Sequence, residues 1–168
     1  MTEFRASIVI GKGSLSFEII RELVERMPIL FCPRAFDTPA QPIAVSDVVA
    51  YLAAAADRRP GDDRIFEVGG SRPVTYGAIF REYARQRGLR RPVVIVPLLS
   101  PGLIRWGLPW LVPEYAHVAP VLADNISTPM VVVDRAAEEA FDVRPCDLEE
   151  SIARVLAEPT DGPLRVLP

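Results

Sequence analysis

Arg5-Ala6-Ser7-Ile8-Val9-Ile10-Gly11-Lys12-Gly13-Ser14-Leu15-Ser16 is the stretch that decides the fold. Residues 5–10 form a short run rich in β-formers, closed by Gly11 and Gly13. A helical pattern follows over residues 16–26, where Phe17, Ile20, Leu23 and Val24 make one apolar stripe. Ser14 stands at the N-cap, Glu18 adds first-turn negative charge, and Met27-Pro28 closes the helix. Strand, glycine turn and helix in that order are the setting of a dinucleotide-binding loop. Only half of that fingerprint is present. Ser16 occupies the place of the third glycine, and the next strand runs into Pro33-Arg34 instead of an acidic residue. The competing reading is a turn that needs glycine simply to swing from strand to helix.

Working outward, strands and helices alternate. Residues 29–32 and 41–45 read as short strands on either side of a loop at 33–39. Ser46 is expected to cap a helix over 47–57, with Val48, Val49 and Leu52 on its inward side. A polar turn at 58–63 leads to a strand at 64–68 that ends at Gly69-Gly70. Thr75 caps a helix through Arg87 with Tyr76, Ile79, Phe80 and Tyr83 inward, and Gly88 suits its C′ position. Residues 92–96 carry Val93-Val94-Ile95-Val96 and read as a buried strand. A helix over 100–112 is expected to break at Gly107 and Pro109, and a second, over 114–126, to kink at Pro120. Residues 130–134 read as a strand and 135–141 as a short helix. Asp147 caps the last helix, which runs to Ala157. This alternation predicts α/β architecture with parallel pairing. The expected organisation is one unit over 1–158 and a Pro-rich tail at 159–168.

Composition narrows the function classes. Hydrophobic residues at 49% supply a core, and charged residues at 24% argue against whole-chain disorder. A net charge of −3 is unlike a nucleic-acid binder, and Arg81, Arg85, Arg87, Arg90 and Arg91 read as the wet face and C-terminal end of one helix. Cys32, Cys146 and the lone His117 have no metal-ligand spacing. The apolar stretch 102–112 contains Arg105 and Pro109 and is well short of the ~20 residues that span a bilayer. The N-terminus lacks a signal-peptide pattern. The expectation is a cytoplasmic protein that binds neither nucleic acid nor membrane.

Four blocks carry a resemblance. Thr2 to Gly11 with Gly13-Ser14-Leu15-Ser16-Phe17-Glu18 is the first; Gln41-Pro42-Ile43-Ala44-Val45-Ser46-Asp47-Val48 is the second. Phe66-Glu67-Val68-Gly69-Gly70 and Thr75-Tyr76 follow in the same order. Together they resemble bacterial atypical or extended short-chain dehydrogenase/reductases, the nucleoside-diphosphate-sugar-epimerase-like NAD(P)-binding family, over residues 2–158. The resemblance implies a partial Rossmann-like parallel sheet, its carboxyl-terminal portion, with a small substrate-side α/β lobe. In that family the cofactor glycine loop and a Tyr-x-x-x-Lys acid/base pair lie upstream of the segment matched by residues 5–11. The chain is therefore expected to be a carboxyl-terminal, substrate-side half. One fact is independent of any alignment: Lys12 is the only lysine, and the residue four before it is Ile8, so no Tyr-x-x-x-Lys pair exists in this sequence.

By the resemblance, Ser7, Ile8, Val9 and Gly11 lie beside the cofactor, and Ser14, Phe17, Arg34 and Gln41 beside the substrate. Arg34 could clamp an anion, although a loop arginine is ordinarily solvated. Phe17 at helical spacing equally fits core packing, and Asp47 fits a hydrogen-bonding role at a helix start. NAD or NADP is implied as the family cofactor, without binding expected from this chain alone, and no catalytic residue is assigned. Two function classes compete: an inactive piece of an oxidoreductase or epimerase-like protein, and a non-enzymatic scaffold docking through Leu103, Trp106, Leu108 and Trp110. A homodimer is expected, because Ile8, Val9, Ile10, Ile65, Phe66 and Val68 would otherwise meet water. The alternative is that the Trp106–Trp110 region folds back over them.

Overall fold

The computed structural model describes residues 2–56, 64–96, 99, 101–118 and 126–158. Its first strand is broken in two. β1 (Glu3–Ala6) runs parallel to β6 (Ile65–Val68), with Phe4 opposite Phe66. Beyond the break at Ser7 and Ile8, β2 (Val9–Ile10) runs parallel to β5 (Ile43–Ala44). β3 (Leu30–Cys32) pairs in parallel with β8 (Val93–Ile95). β4 (Pro39–Ala40) pairs antiparallel with β7 (Val74–Thr75), and Met130 adds one parallel bridge to Ala40. Short parallel pairs whose partners are distant in sequence and joined through helices make an α/β fold.

The helices with strong local signals form where the sequence places them. α1 (Leu15–Arg26) buries Phe17, Ile20 and Val24. Ser14 occupies its N-cap position without a side-chain bond; Glu18 instead reaches back to accept from the Gly13 amide at 3.2 Å. α2 (Val45–Ala56) starts one residue ahead of the expected cap, so Ser46 lies within its first turn. α3 (Tyr76–Gln86) is capped by the Thr75 hydroxyl, which accepts from the Ala78 amide. It buries Tyr76, Ile79, Phe80 and Tyr83 and ends at Gly88, whose φ of +67° favours glycine. α4 (Pro101–Leu111), α5 (Ala136–Phe141) and α6 (Leu148–Ala157) complete the set. Asp147 caps α6 by accepting from the Glu150 amide at 2.9 Å. Of the basic cluster, Arg85 pairs with Glu82, Arg87 with Glu25, and Arg91 donates to the carbonyls of Val24 and Glu25.

The main core joins α1, α3, α6 and β3 through Phe17, Ile20, Ile79, Phe80, Tyr83 and Ile152. A second cluster packs Phe66, Val68, Tyr51 and Phe141 around Phe4. A smaller third one sets Leu108 and Val112 of the α4 region on Ile19.

Several expectations are corrected. Ile8, Ile10, Phe66 and Val68 are buried and Val9 is half-buried, so of the six residues expected to meet water only Ile65 does. Helix packing within the chain, not a second copy, covers the others. Trp106 and Trp110 themselves are 70% and 77% exposed, while Leu108 between them turns inward toward the pocket that Ile8 also lines. On α2 the inward residues are Asp47 and Tyr51, with Val48 half-buried, while Val49 and Leu52 face outward at 57% and 54% exposure. Periodicity finds an apolar stripe but does not say what lies over it. Val94 is exposed with its partner Phe31 on the uncovered face of the β3–β8 pair. Ile95, on the opposite face beside buried Cys32, is partly open because β8 has no further strand neighbour among the described residues. α4 runs unbroken through Gly107 and Pro109. The helix expected from 114 is, in its described part, a 3₁₀ turn at Pro113–Tyr115 followed by turns to Val118. Residues 130–134 contribute a bridge at Met130 instead of a strand. The expected turn at 58–63, the kink at Pro120 and the tail at 159–168 lie outside the described residues.

Candidate functional site

The break between β1 and β2 is held open by side chains. The Ser7 hydroxyl donates to the Met130 carbonyl at 3.0 Å and accepts from the Gln41 amide at 3.3 Å. The buried Gln41 side chain donates through Nε2 to the Gly70 carbonyl at 2.6 Å and accepts through Oε1 from the Val132 amide at 3.1 Å. A Cβ at Gly70 would sit 2.2 Å from the Pro42 carbonyl oxygen, so the backbone there passes as only glycine allows. One polar knot thus ties together the end of β1, the chain before β5, the turn after β6 and the segment at 130–132.

Beside this knot lies a cavity of about 460 Å³. Ser7 and Ile8 stand at one side, α1 supplies Ile19 and Ile20, β3 supplies Cys32, and the inward face of α4 closes it with Ile104 and Leu108. None of the described residues that line it carries a formal charge. Its polar side-chain groups among the described residues are the hydroxyls of Ser7, Ser16 and Tyr76, the thiol of Cys32 and, at the rim, the indole of Trp106. Burial pushes both Tyr76 and Cys32 up to about 12. Both therefore stay protonated at neutral pH, and Cys32 is an inert thiol and not a nucleophile.

The residues singled out in the sequence divide between these features. Ser7 and Ile8 line the cavity. Val9 is half-buried opposite Ile43 in the β2–β5 pair. The space a side chain would take at Gly11 is already filled by Val45, whose Cβ lies 2.6 Å from the would-be position. Glu18 holds a carboxylate against the Gly13 amide, the position a phosphate would need in a dinucleotide loop. Ser14 is half-buried at the start of α1. Phe17 is fully buried and meets Tyr83 edge-on at 5.7 Å, the core alternative raised for it. Arg34 is exposed, with no ion pair among the described residues. Gln41 has both ends of its amide engaged with backbone.

Asp47 is buried and structural. It accepts from the Cys146 amide at 2.8 Å and from Arg154 at 3.2 Å, joining the start of α2 to the segment before α6. No local pattern announces the cavity or Tyr76's place in it, because the wall comes from six separate segments of the chain and follows no motif. Among the described residues no group of His, Cys, Asp and Glu could hold a metal, and no helix is long and apolar enough to cross a membrane.

No protein-family model matches the chain, and no curated protein matches it. Solved structures do. UDP-galactose 4-epimerase is 17% identical, with a TM-score of 0.58 over 93% of this chain and 45% of that one. MoeE5, solved with UDP-glucose and NAD, is 17% identical, with a TM-score of 0.60 over 90% and 44%. The dTDP-4-dehydrorhamnose reductase of Bacillus anthracis, solved with NADP, is 12% identical, with a TM-score of 0.62 over 92% and 47%. The chain thus spans a little under half the length of each. At these identities the likeness shows the fold: part of the Rossmann-like architecture of NAD(P)-dependent epimerases and reductases.

Proposed function

We propose that the chain is the substrate-side, carboxyl-terminal half of an NAD(P)-dependent epimerase- or reductase-like protein, inactive until a dinucleotide-binding half completes it. The observation that carries this reading is the match of at least nine-tenths of the chain to less than half of each neighbour. The unused lysine logic agrees, since no tyrosine here has a lysine at helical spacing to lower its pKa. So does the outward stripe of Val45, Val49 and Leu52 on α2, an apolar face of the kind a missing layer covers. Ser7 and Ile8 would then mark where the cofactor's reactive end approaches the cavity. The cofactor, NAD or NADP, would come with the other half, and the cytoplasm is the compartment that suits both.

Calorimetric titration of the 168-residue chain with NADH and NADPH tests this. The expected Kd is weaker than about 1 mM for either. Micromolar affinity, or heat-labile turnover of either cofactor by the pure chain, would show that no second half is needed.

A homodimer is a second reading, favoured by the α2 stripe together with exposed Ile65. Light scattering at micromolar concentration should then give twice the 18.5 kDa chain mass. A single-chain mass unchanged on dilution excludes it.

A further inference from the structure

We infer that the cavity beneath α4 is a binding site for an uncharged, lipophilic carbonyl compound that accepts a hydrogen bond from Tyr76. This goes beyond the half-domain reading, because the wall of the site lies within this chain and requires no cofactor. A cavity of about 460 Å³ is in the usual range for small-molecule sites. The pocket opens to solvent on one side, and walls this apolar leave water few partners, so a lipophilic ligand gains by displacing it.

The wall chemistry selects the ligand. A nucleotide sugar brings a pyrophosphate, which calls for arginine, lysine or a helix N-terminus, and among the described residues no charged one lines the cavity. Tyr76 is the specific feature. It is only 7% exposed, it lines the cavity, and its hydroxyl has no hydrogen-bond partner among the described residues. The hydroxyl is not among the buried atoms left without a partner, so it stays accessible from the cavity side. Its backbone is fixed, since the Tyr76 amide donates to the Thr38 carbonyl at 3.2 Å at the start of α3. Being protonated at neutral pH, it can donate to a ligand oxygen. Gly107 keeps the space open. It falls on the α4 face that carries Ile104, Leu108 and Leu111, it lines the cavity, and a Cβ there would meet nothing within 4 Å. Trp106 stands at the rim, largely exposed.

The test uses 2-acetylnaphthalene, its hydrocarbon counterpart 2-ethylnaphthalene, and UDP-glucose. Trp106 fluorescence reports binding in a Trp110→Phe background, Trp110 being exposed and outside the cavity wall. The ketone should quench saturably, and Tyr76→Phe should weaken it about 2- to 12-fold, the range of one neutral hydrogen bond. The hydrocarbon should bind equally with and without that hydroxyl, and UDP-glucose should leave the signal unchanged. Gly107→Leu should abolish both aromatic ligands without lowering Tm. Tyr76→Phe removes only an unpartnered hydroxyl, so the comparison stands even if Gly107→Leu fails to fold. The inference is overturned if neither aromatic ligand binds, if a folded Gly107→Leu binds as before, or if Tyr76→Phe affects ketone and hydrocarbon alike. None of these outcomes bears on the NADH titration, so the two proposals fail separately.

Discussion

Replacing Gln41 should cost stability out of proportion to the size of its side chain. The amide satisfies two backbone groups from opposite ends, the Gly70 carbonyl at 2.6 Å and the Val132 amide at 3.1 Å. Gln41→Met keeps most of the volume and removes both bonds. A buried backbone group left unpaired costs about 1–3 kcal/mol. The Gly70 end is fully buried and the Val132 end partly so, which argues for about 2 and about 1 kcal/mol respectively. For a domain of this length about 3 kcal/mol corresponds to a fall in Tm of roughly 6–12 °C. Circular dichroism melts of the parent, Gln41→Met and Gln41→Glu give the answer. At neutral pH Gln41→Glu should melt lowest, because a carboxylate would face the Gly70 carbonyl. In acid it should recover, as the protonated group can donate there again. Hydrogen exchange should show the Val132 amide losing protection in Gln41→Met and keeping it in Gln41→Glu, whose carboxyl oxygen still accepts there. A Gln41→Met melt within about 1 °C of the parent would refute the reasoning, and so would an unchanged Val132 exchange rate.

Two further outcomes follow from local geometry. Burial pushes the Glu25 carboxyl up, but hydrogen bonds from Arg87 and Tyr83 and the nearby arginine charges outweigh burial and hold it below the ordinary value. Its stabilisation is therefore complete above the unfolded value of about 4.3 and disappears as pH falls through the lower folded value. Glu25→Gln should lower Tm near about pH 7 and leave it unchanged near about pH 2; equal losses at both would contradict this assignment. Gly70→Ala should cost about 3 kcal/mol or more by urea denaturation, since its methyl would meet the Pro42 carbonyl oxygen at 2.2 Å, backbone against backbone. An unchanged urea midpoint would show that this crossing can relax freely.

Helices with caps were readable because their signals are local. Thr75 bonding Ala78 and Asp147 bonding Glu150 involve residues three apart, and the stripes of α1 and α3 lie within a few turns. The parallel α/β pattern was readable from the alternation of strand and helix. What covers each apolar face was not. Val49 and Leu52 have the same spacing whether they face a core or water, and a β-branched run at 93–95 reads alike in a covered or an uncovered strand pair. The site was legible only in part for the same reason. Ser7 and Ile8, expected beside the cofactor, stand at a pocket wall assembled from distant segments, and Gln41's partners lie at 70 and 132, where no local pattern announces them. The glycine at 11 stands out in the sequence as a turn residue, yet what requires it is the side chain of Val45, thirty-four residues away.

The parallel ladders also govern how the chain acquires its shape. β1 leaves the ribosome well before β6, and Glu3 must wait for Ile65 to be made; Leu30 likewise waits for Val93. A hairpin closes on itself within a few residues, but these pairs need long loops to close before any ladder bond rewards them. In that interval the nascent segment exposes Ile8, Val9 and Ile10, later mostly buried, to solvent and to other chains. Translation speed through residues 11–64, and a chaperone able to shield that first strand, therefore bear directly on how much of the chain escapes aggregation.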